Sequence, residues 1–392
     1  MAGSISTADT GDRKKAIVLL SAATAVFAAN LVALSPVVAN LAGAGGKSRT
    51  SSGLLFTVHF LGFIVFSLAS GAVSDRIGKK KVLVVAMGTF TVGFILFAFL
   101  NVFWAECLVM FLLGGCGGIV ECLGSALASD LDPEHPEAAV NLLQLFFALA
   151  ALFSPLAVSF FLEHFVFWKS FYLILAAFSA ILFLLMSRTS MESPHAAAQS
   201  LKLRDLIQAL KDPGFLAMGF CMLAYTGAEV GAWGWLSTLL QQKISFGATM
   251  AGLGVALFWV AMTAGRYICG ILIKHIRVDR LIIALAVFSA LTTGWAVFIR
   301  DERLLLVVVV CIGLGCSSQF PLLAGFGSRM TKLPSGAAFT FLIVSGNAGA
   351  ALVPLAMGVI GDSAGLDKAL LLPVILFASV ALIMTLNSRK AI

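Results

Sequence analysis

Three side chains with complementary chemistry follow one another in AYTGAEVGAWGWLSTLL, residues 224–240. Tyr225, Glu229 and Trp233 stand at i, i+4 and i+8, which places them on one face of a helix. An aromatic ring offers a flat apolar surface to the C–H face of a sugar, and a carboxylate accepts hydrogen bonds from its hydroxyl groups. The stripe therefore predicts contact with a neutral polyhydroxylated solute. Trp235 is expected to belong to an aromatic belt or a gate.

A second carboxylate, Glu121, interrupts another apolar run. Small residues share its helical face, so a neighbouring helix or a solute can come close. Counting outward from the short loop SDLDPEHPEAA places Gln144 at a similar depth on the next, antiparallel helix. We expect the two side chains to pair. A site of this kind can alternately hold a proton and a solute hydroxyl, so we predict that proton coupling runs through Glu121 and Gln144.

Other polar residues lie inside apolar runs and are expected to line the same cavity. They are Asn30, Gln319 and Asn347. His59 also lies in an apolar run, where a packed histidine is favoured over a proton carrier.

The composition explains why these side chains stand out. Hydrophobic residues make up 60% of the chain and charged residues 11%, against roughly 45–50% and 25% in soluble domains. Lipid tails can solvate this much apolar surface, whereas a soluble core cannot use it. The net charge of +7 comes from Lys and Arg in short connectors, which is typical of membrane topology and does not indicate a nucleic-acid partner.

The apolar runs predict an all-α membrane protein with twelve spanning helices in two six-helix bundles. We expect a tail at 1–14, a first bundle at 15–187, a linker at 188–213, a second bundle at 214–388 and a tail at 389–392. The linker contains LKLRDLIQALKDP, residues 201–213, whose apolar face predicts a short amphipathic helix on the membrane surface. Most basic loop residues fall on the side of the N-terminus, so both termini are expected in the cytoplasm.

The two bundles are related as repeats. At an offset of 199 residues Pro155 meets Pro354, Asn30 meets Glu229, and Gly71 meets Gly270. Parallel repeats of six spans, with a binding site at their interface near mid-membrane, are a transporter architecture.

The loop after the second span reads GAVSDRIGKKK, residues 71–81. It closely resembles the G-x-x-x-D-R-x-G-[RK]-[RK] signature of the major facilitator superfamily, with Gly71, Asp75, Arg76 and Gly78 at the defining positions. The resemblance implies twelve helices and a cytoplasmic latch in which Asp75 meets a neighbouring helix end. Asp130 is the expected partner of Arg76. The alternative is that the loop is only a basic anchor.

The second half has a degraded copy of this motif, GRYICGILIKHIRVDR, residues 265–280. Lys274 replaces the acid, so the gate is expected to be asymmetric. Arg266 lies inside the eighth span, and we expect a structural or gating role for it ahead of solute contact.

Three stretches narrow the resemblance. GGIVECLGSALASDLDP around Glu121, NLLQLFFALAALFSPL (141–156) and YTGAEVGAWGWLSTLL (225–240) resemble the fucose- and glucose-type proton-coupled sugar symporters of the superfamily. By that resemblance Glu121 is the proton-linked carboxylate and Glu229 belongs to the sugar site. Members often have Asn where Ser125 stands and His where Gln144 stands.

The sequence therefore predicts a secondary transporter in the bacterial inner membrane, monomeric, that moves a small polyhydroxylated solute inward with a proton. Na⁺ stays open as the coupling ion, and no other cofactor is expected. The alternatives are an efflux antiporter for drugs, lipids or metabolites, and a membrane sensor that binds solute without carrying it. An enzyme is not expected, because no nucleophile, metal set or phosphate loop is visible: LAGAGGKS (41–48) has Leu41 where the first glycine of such a loop should be.

Overall fold

The computed structural model describes residues 10–43, 45–191, 211–244, 246–331, 333 and 335–388. Every regular element in these ranges is an α-helix. The helices are α1 (Thr10–Ala42), α2 (Arg49–Ile77), α3 (Lys79–Phe99), α4 (Phe103–Leu131), α5 (Pro136–His164), α6 (Ser170–Arg188), α7 (Pro213–Gly234), α8 (Leu236–Ile244), α9 (Ala248–Leu272), α10 (Val278–Phe298), α11 (Glu302–Cys316), α12 (Gln319–Ser328), α13 (Ser335–Ala364), α14 (Leu366–Ala369) and α15 (Leu371–Ser388).

Twelve segments in the described ranges are long and apolar enough to cross a membrane. The prediction of twelve spans is therefore confirmed. Two spans are divided: the tenth consists of α11 and α12, and the twelfth of α14 and α15. The seventh, expected to run unbroken over 214–240, ends at Gly234, and α8 continues after a turn at Trp235. The predicted amphipathic helix of the linker falls largely on 192–210, outside the described residues.

The two halves repeat the same pattern of helix contacts. In the first half α1 packs on α5, α2 on α4 and α3 on α6, and in the second half α7 packs on α13, α9 on α11 and α10 on α15. These are the same pairs when the spans are counted from the start of each half. Between the halves α2 packs on α13 and α5 on α9, which are related by the same pseudo-two-fold axis.

Glycines allow close helix crossings inside each half. A Cβ on Gly114 of α4 would lie 1.9 Å from the carbonyl oxygen of His59, and a Cβ on Gly313 of α11 would lie 2.4 Å from that of Phe258. Both contacts are related by the offset of 199 residues found in the sequence (59 to 258, 114 to 313). Small residues of this kind let helix backbones touch where burial of apolar surface provides no driving force.

Two ends of the bundle are distinguished below. The motif face is the end that carries the loop between α2 and α3, with Gly78 and Lys79. The far face is the opposite end, where α2 begins at Arg49 and α13 ends at Ala364. Hydrogen bonds between the halves cluster towards the far face, where Ser35 Oγ donates to the Trp233 carbonyl at 2.9 Å.

Candidate functional site

The Glu121 carboxylate is held by the amide expected from the sequence. Gln144 Nε2 on α5 donates to Glu121 Oε1 on α4 at 3.0 Å. The helices are antiparallel and joined by the short segment 132–135, which brings the two side chains to the same depth. Glu121 Oε2 is buried and has no hydrogen-bond partner among the described groups. One oxygen is therefore fixed and the other is available, while the role of this pair in coupling stays a prediction.

Arg266 lies close to both buried carboxylates. Its guanidinium interacts electrostatically with Glu121 of the first half and with Glu229 of the second. The Arg266 side chain is exposed, although it sits inside α9. We call Glu121, Glu229 and Arg266 the central charge cluster. The sequence predicted a structural or gating role for Arg266, and that role stays a prediction.

A break in the tenth span supplies acceptors to this cluster. The α11 helix ends at Cys316 and α12 begins at Gln319, so carbonyl groups at the break lack helical partners. Tyr225 Oη donates to the Cys316 carbonyl at 2.6 Å, and Arg266 Nε donates to the Ser317 carbonyl at 3.0 Å. In this conformation the proton of the Tyr225 hydroxyl is therefore donated to a carbonyl at the helix break. The whole Tyr225 side chain is buried in this conformation, and its contact with solute stays a prediction.

Trp233 belongs to a row of rings that crosses between the halves. Its ring centroid lies 5.7 Å from that of Phe56 and 5.8 Å from that of Trp259, which in turn lies 5.8 Å from that of Phe147. We call these four rings the aromatic bridge. Glu229 stands one helical turn before Trp233 and is 9% exposed. The rings of Phe56, Trp233 and Trp259 are buried in this conformation, and solute contact at Glu229 and Trp233 stays a prediction.

Sequence reasoning missed Phe147 and Trp259. The available signal was Trp259 itself, a tryptophan well inside an apolar span and away from the interfacial ends where such residues usually collect. Its indole Nε1 is buried without a partner among the described groups. A buried indole N–H normally finds an acceptor, so Trp259 is a further candidate site residue.

The three remaining polar candidates lie in different surroundings. Asn30 is fully buried, and neither its Oδ1 nor its Nδ2 has a partner in the described part of the chain. Gln319 Nε2 donates to Ser289 Oγ at 3.1 Å, which ties the side chain to α10 of its own half. Asn347 Nδ2 donates to the carbonyl four residues back in its own helix, at 2.9 Å. Of the three residues, Asn30 is the one for which neither amide atom makes a hydrogen bond within the described part of the chain.

Two aromatic expectations have a clear structural outcome. The His59 ring is fully buried and stacks on Phe27 with centroids 6.4 Å apart, as a packed histidine would. Trp235 is also fully buried, and its Nε1 donates to the Pro354 carbonyl at 3.0 Å. The expectation of an aromatic belt at Trp235 is therefore wrong, because the indole is buried against α13; the alternative of a gate stays a prediction.

The signature loop has the geometry its glycine requires. Gly78 has φ of +92°, a region that side chains rarely adopt, and it separates α2 from α3. Asp75 and Arg76 are exposed at the motif face. The ion pair that the structure gives to Asp130 is with Lys79, at 2.5 Å. The signature loop therefore binds Asp130 through Lys79, and the expected pairing of Arg76 with Asp130 stays a prediction.

The described residues contain no group of three or more His, Cys, Asp or Glu side chains that could hold a metal ion. The chemistry available at the centre is therefore that of two carboxylates, one guanidinium, uncommitted amides and aromatic rings.

The chain is similar to known proteins in sequence. The pattern of the Major Facilitator Superfamily matches residues 19–332. A protein of Erwinia tasmaniensis described as a TsgA homolog is 24% identical over 264 residues, or 67% of this chain and 66% of that protein. A TsgA homolog of Buchnera aphidicola subsp. Baizongia pistaciae is 21% identical over 332 residues, or 84% of each.

Solved structures show the same fold. The nucleoside transporter NupG superposes with a TM-score of 0.78 at 15% identity, over 95% of this chain and 99% of that one. A D-xylose-proton symporter gives 0.77 at 15% identity, over 94% and 96%. FucP, a fucose:proton symporter of E. coli, gives 0.64 at 18% identity, over 96% and 99%. A FucP structure described as outward also gives 0.64, at 17% identity over 96% and 99%. The matched sequence pattern and the twelve-helix fold together show that the chain belongs to the major facilitator superfamily of membrane transporters.

Proposed function

We propose that this transporter is a proton symporter for a small polyhydroxylated solute, a sugar or related polyol. The observation that carries the proposal is the Glu121–Gln144 pair. It leaves one carboxylate oxygen free beside Arg266, at an interface that also holds Glu229 and the aromatic bridge. A carboxylate in a membrane interior costs several kcal/mol unless it is protonated, paired or hydrated, so this oxygen is suited to take up and release a proton.

The solute class follows from the lining of the site. These side chains are buried in this conformation. When the interface opens, Glu229, Asn30 and the indole N–H of Trp259 supply acceptors and donors, and Trp233 supplies an apolar face. A ligand with alternating hydroxyl and C–H surfaces matches this mixture better than an anion, because two carboxylates face the site and one guanidinium does not neutralise both. The relatives described as fucose:proton and D-xylose-proton symporters support the same class.

We propose that the protein lies in the bacterial inner membrane as a monomer with both termini and the motif face in the cytoplasm. Residues 15–187 and 214–388 then act as two rigid bundles, 188–213 as the linker, and 1–14 and 389–392 as cytoplasmic tails. The closed far face and the exposed Asp75 and Arg76 fit an inward-facing state, in which the latch is released.

The test begins with purified protein and a thermal-shift screen of sugars and polyols. A true ligand at a hundred times its Kd adds about 2.7 kcal/mol of stability. The hits are then offered as radiolabelled solutes to proteoliposomes, with an acidic exterior or with no gradient. Uptake driven by the pH gradient is the expected result. Binding without flux would identify a sensor, and solute driven outward by the same gradient would identify an efflux antiporter. Uptake driven by Na⁺ instead would overturn the coupling assignment.

A further inference from the structure

Two carboxylates at the far face each reach into the other half. Asp362 near the end of α13 accepts from Arg49 N at 2.8 Å through Oδ1, and from Thr50 N at 2.8 Å and Thr50 Oγ1 at 2.6 Å through Oδ2. Glu163 near the end of α5 accepts from Thr249 N at 2.7 Å through Oε2. The first contact joins the second half to α2, and the second joins the first half to α9.

The two contacts are copies of each other under the internal repeat. Thr50 and Thr249 are separated by the offset of 199 residues, as are Glu163 and Asp362. Each carboxylate therefore meets the equivalent position of the opposite half, at the second residue of the helix.

A matching pair of backbone contacts lies directly below these carboxylates. A Cβ on Gly53 would lie 2.9 Å from the Pro354 carbonyl oxygen, and a Cβ on Gly252 would lie 2.6 Å from that of Pro155. These four positions obey the same offset (53 to 252, 155 to 354). The helices thus touch backbone to backbone at two symmetric points, and the carboxylates close the seam above them.

Both carboxylates bind the groups that a helix start leaves unpaired. The first N–H groups of a helix have no partner within it, and they carry partial positive charge. In α2 the N–H of Ser51 donates to Ser48 Oγ at 3.0 Å. Asp362 of the other half accepts from the N–H groups of Arg49 and Thr50. In α9 the N-cap residue is Gly247, which has no side chain that could accept a hydrogen bond. The carboxylate of Glu163, from the other half, accepts the bond from Thr249 N instead.

The two contacts differ in strength. Asp362 makes three hydrogen bonds and lies 3.9 Å from the Arg49 guanidinium, which itself donates to the Gly361 carbonyl at 3.0 Å. Glu163 accepts one backbone hydrogen bond, from Thr249 N, and the charged neighbour that interacts with it is a histidine, His164.

We infer that Asp362 and Glu163 are gating residues of the transport cycle, a pair of symmetric latches that hold the far face closed. The far face can open only when both carboxylates release the helix starts of the opposite half. Asp362 contributes the larger share of the closed population, because it makes more contacts. This assignment concerns gating alone and does not depend on which solute or ion is carried.

The test uses a reporter cysteine beneath the latches. Thr57 lies two helical turns below Thr50, about 10 Å along α2. Its Oγ1 donates to the Ala351 carbonyl of the other half at 2.6 Å, and the side chain is buried. A Thr57→Cys protein is treated with a membrane-impermeant maleimide in intact cells, and the labelled peptide is followed by mass spectrometry. The same labelling is run on inside-out membrane vesicles. If the protein has the opposite orientation in the membrane, the cysteine is labelled in these vesicles and not in intact cells.

Three latch variants and one control variant are compared in the Thr57→Cys background. Asp362→Asn places an NH₂ group where a carboxylate oxygen accepts, and we expect labelling about tenfold faster. Glu163→Gln is expected to give about threefold, and the double variant about thirtyfold, since distant sites add in free energy. Asp367→Asn is the matched control, because its partners Arg300 at 2.9 Å and Lys243 at 3.3 Å lie in its own half. It should leave the rate unchanged.

Folding is checked within the same samples. Native Cys116 is buried in the first half, so its labelling reports unfolding instead of gate opening. Thr50→Val removes the 2.6 Å hydroxyl bond alone and should speed labelling by about threefold even if Asp362→Asn fails to fold. Rates equal to that of Asp367→Asn, with Cys116 protected, would overturn the latches. A larger effect for Glu163→Gln than for Asp362→Asn would overturn their ranking.

Discussion

Replacing Glu121 by glutamine separates proton coupling from solute binding. The substitution keeps the length of the side chain and an acceptor oxygen, so the 3.0 Å bond from Gln144 Nε2 can persist. It turns the unpartnered Oε2 into an amide nitrogen and removes the negative charge that faces Arg266. The variant therefore resembles the permanently protonated carboxyl group. Because no buried packing is lost, we expect its stability to stay within about 1 kcal/mol of the parent.

The size of the expected effect follows from the driving force. A gradient of one pH unit stores about 1.4 kcal/mol per proton, which supports up to about tenfold accumulation of a solute carried with one proton. The Glu121→Gln variant has no proton to exchange at this position, so its accumulation should fall to about onefold. Exchange of labelled for unlabelled solute needs no net proton movement and should survive at a rate within about threefold of the parent.

The assay is paired counterflow and pH-gradient-driven uptake in the same proteoliposomes. Glu134→Gln is the matched control, since this residue is exposed in the loop between α4 and α5 and should change neither measurement. If Glu121→Gln concentrates solute as well as the parent does, Glu121 is not the coupling group. Glu229 or His59 would then have to take that role.

Three further outcomes are expected. Asp75→Asn should leave the stability within about 0.5 kcal/mol of the parent, because the side chain is exposed. It should slow transport, because it weakens closure of the motif face. Normal transport would count against the latch role of the signature loop. Glu229→Gln should weaken solute binding by about tenfold to a hundredfold, the value of a hydrogen bond to a charged group, and unchanged affinity in a binding titration would make Glu229 structural. Gly114→Ala should destabilise by about 1–3 kcal/mol, because the added methyl group would lie 1.9 Å from the His59 carbonyl oxygen. Gly71→Ala is its control: a Cβ there meets nothing within 4 Å, so the melting temperature should not fall. Equal losses of stability in the Gly114→Ala and Gly71→Ala variants would refute the packing argument.

The spans, the repeat and one side-chain pair could be predicted from the sequence. A bilayer imposes a length and a polarity on each helix, so twelve apolar runs translate almost directly into twelve spans. The 199-residue offset predicted that the halves are repeats, and the structure adds contacts that recur at that offset, as at Gly114 and Gly313. Glu121 and Gln144 could be paired because a short loop joins their helices and fixes relative depth.

Contacts between helices remote in the sequence depended on the tertiary structure. The commitment of Tyr225 to the Cys316 carbonyl follows from a break in the tenth span that hydropathy did not reveal. Trp259 became a site residue only when its ring was seen between Phe147 and Trp233.

The latches at Asp362 and Glu163 show the same limit. From the sequence they are carboxylates near helix ends, where acidic residues can simply face water. Their role depends on how the two halves meet, and that in turn depends on which side of the transporter is closed. Hydropathy and periodicity report the environment of each helix, whereas a gate is formed by side chains of two bundles whose relative position changes during transport.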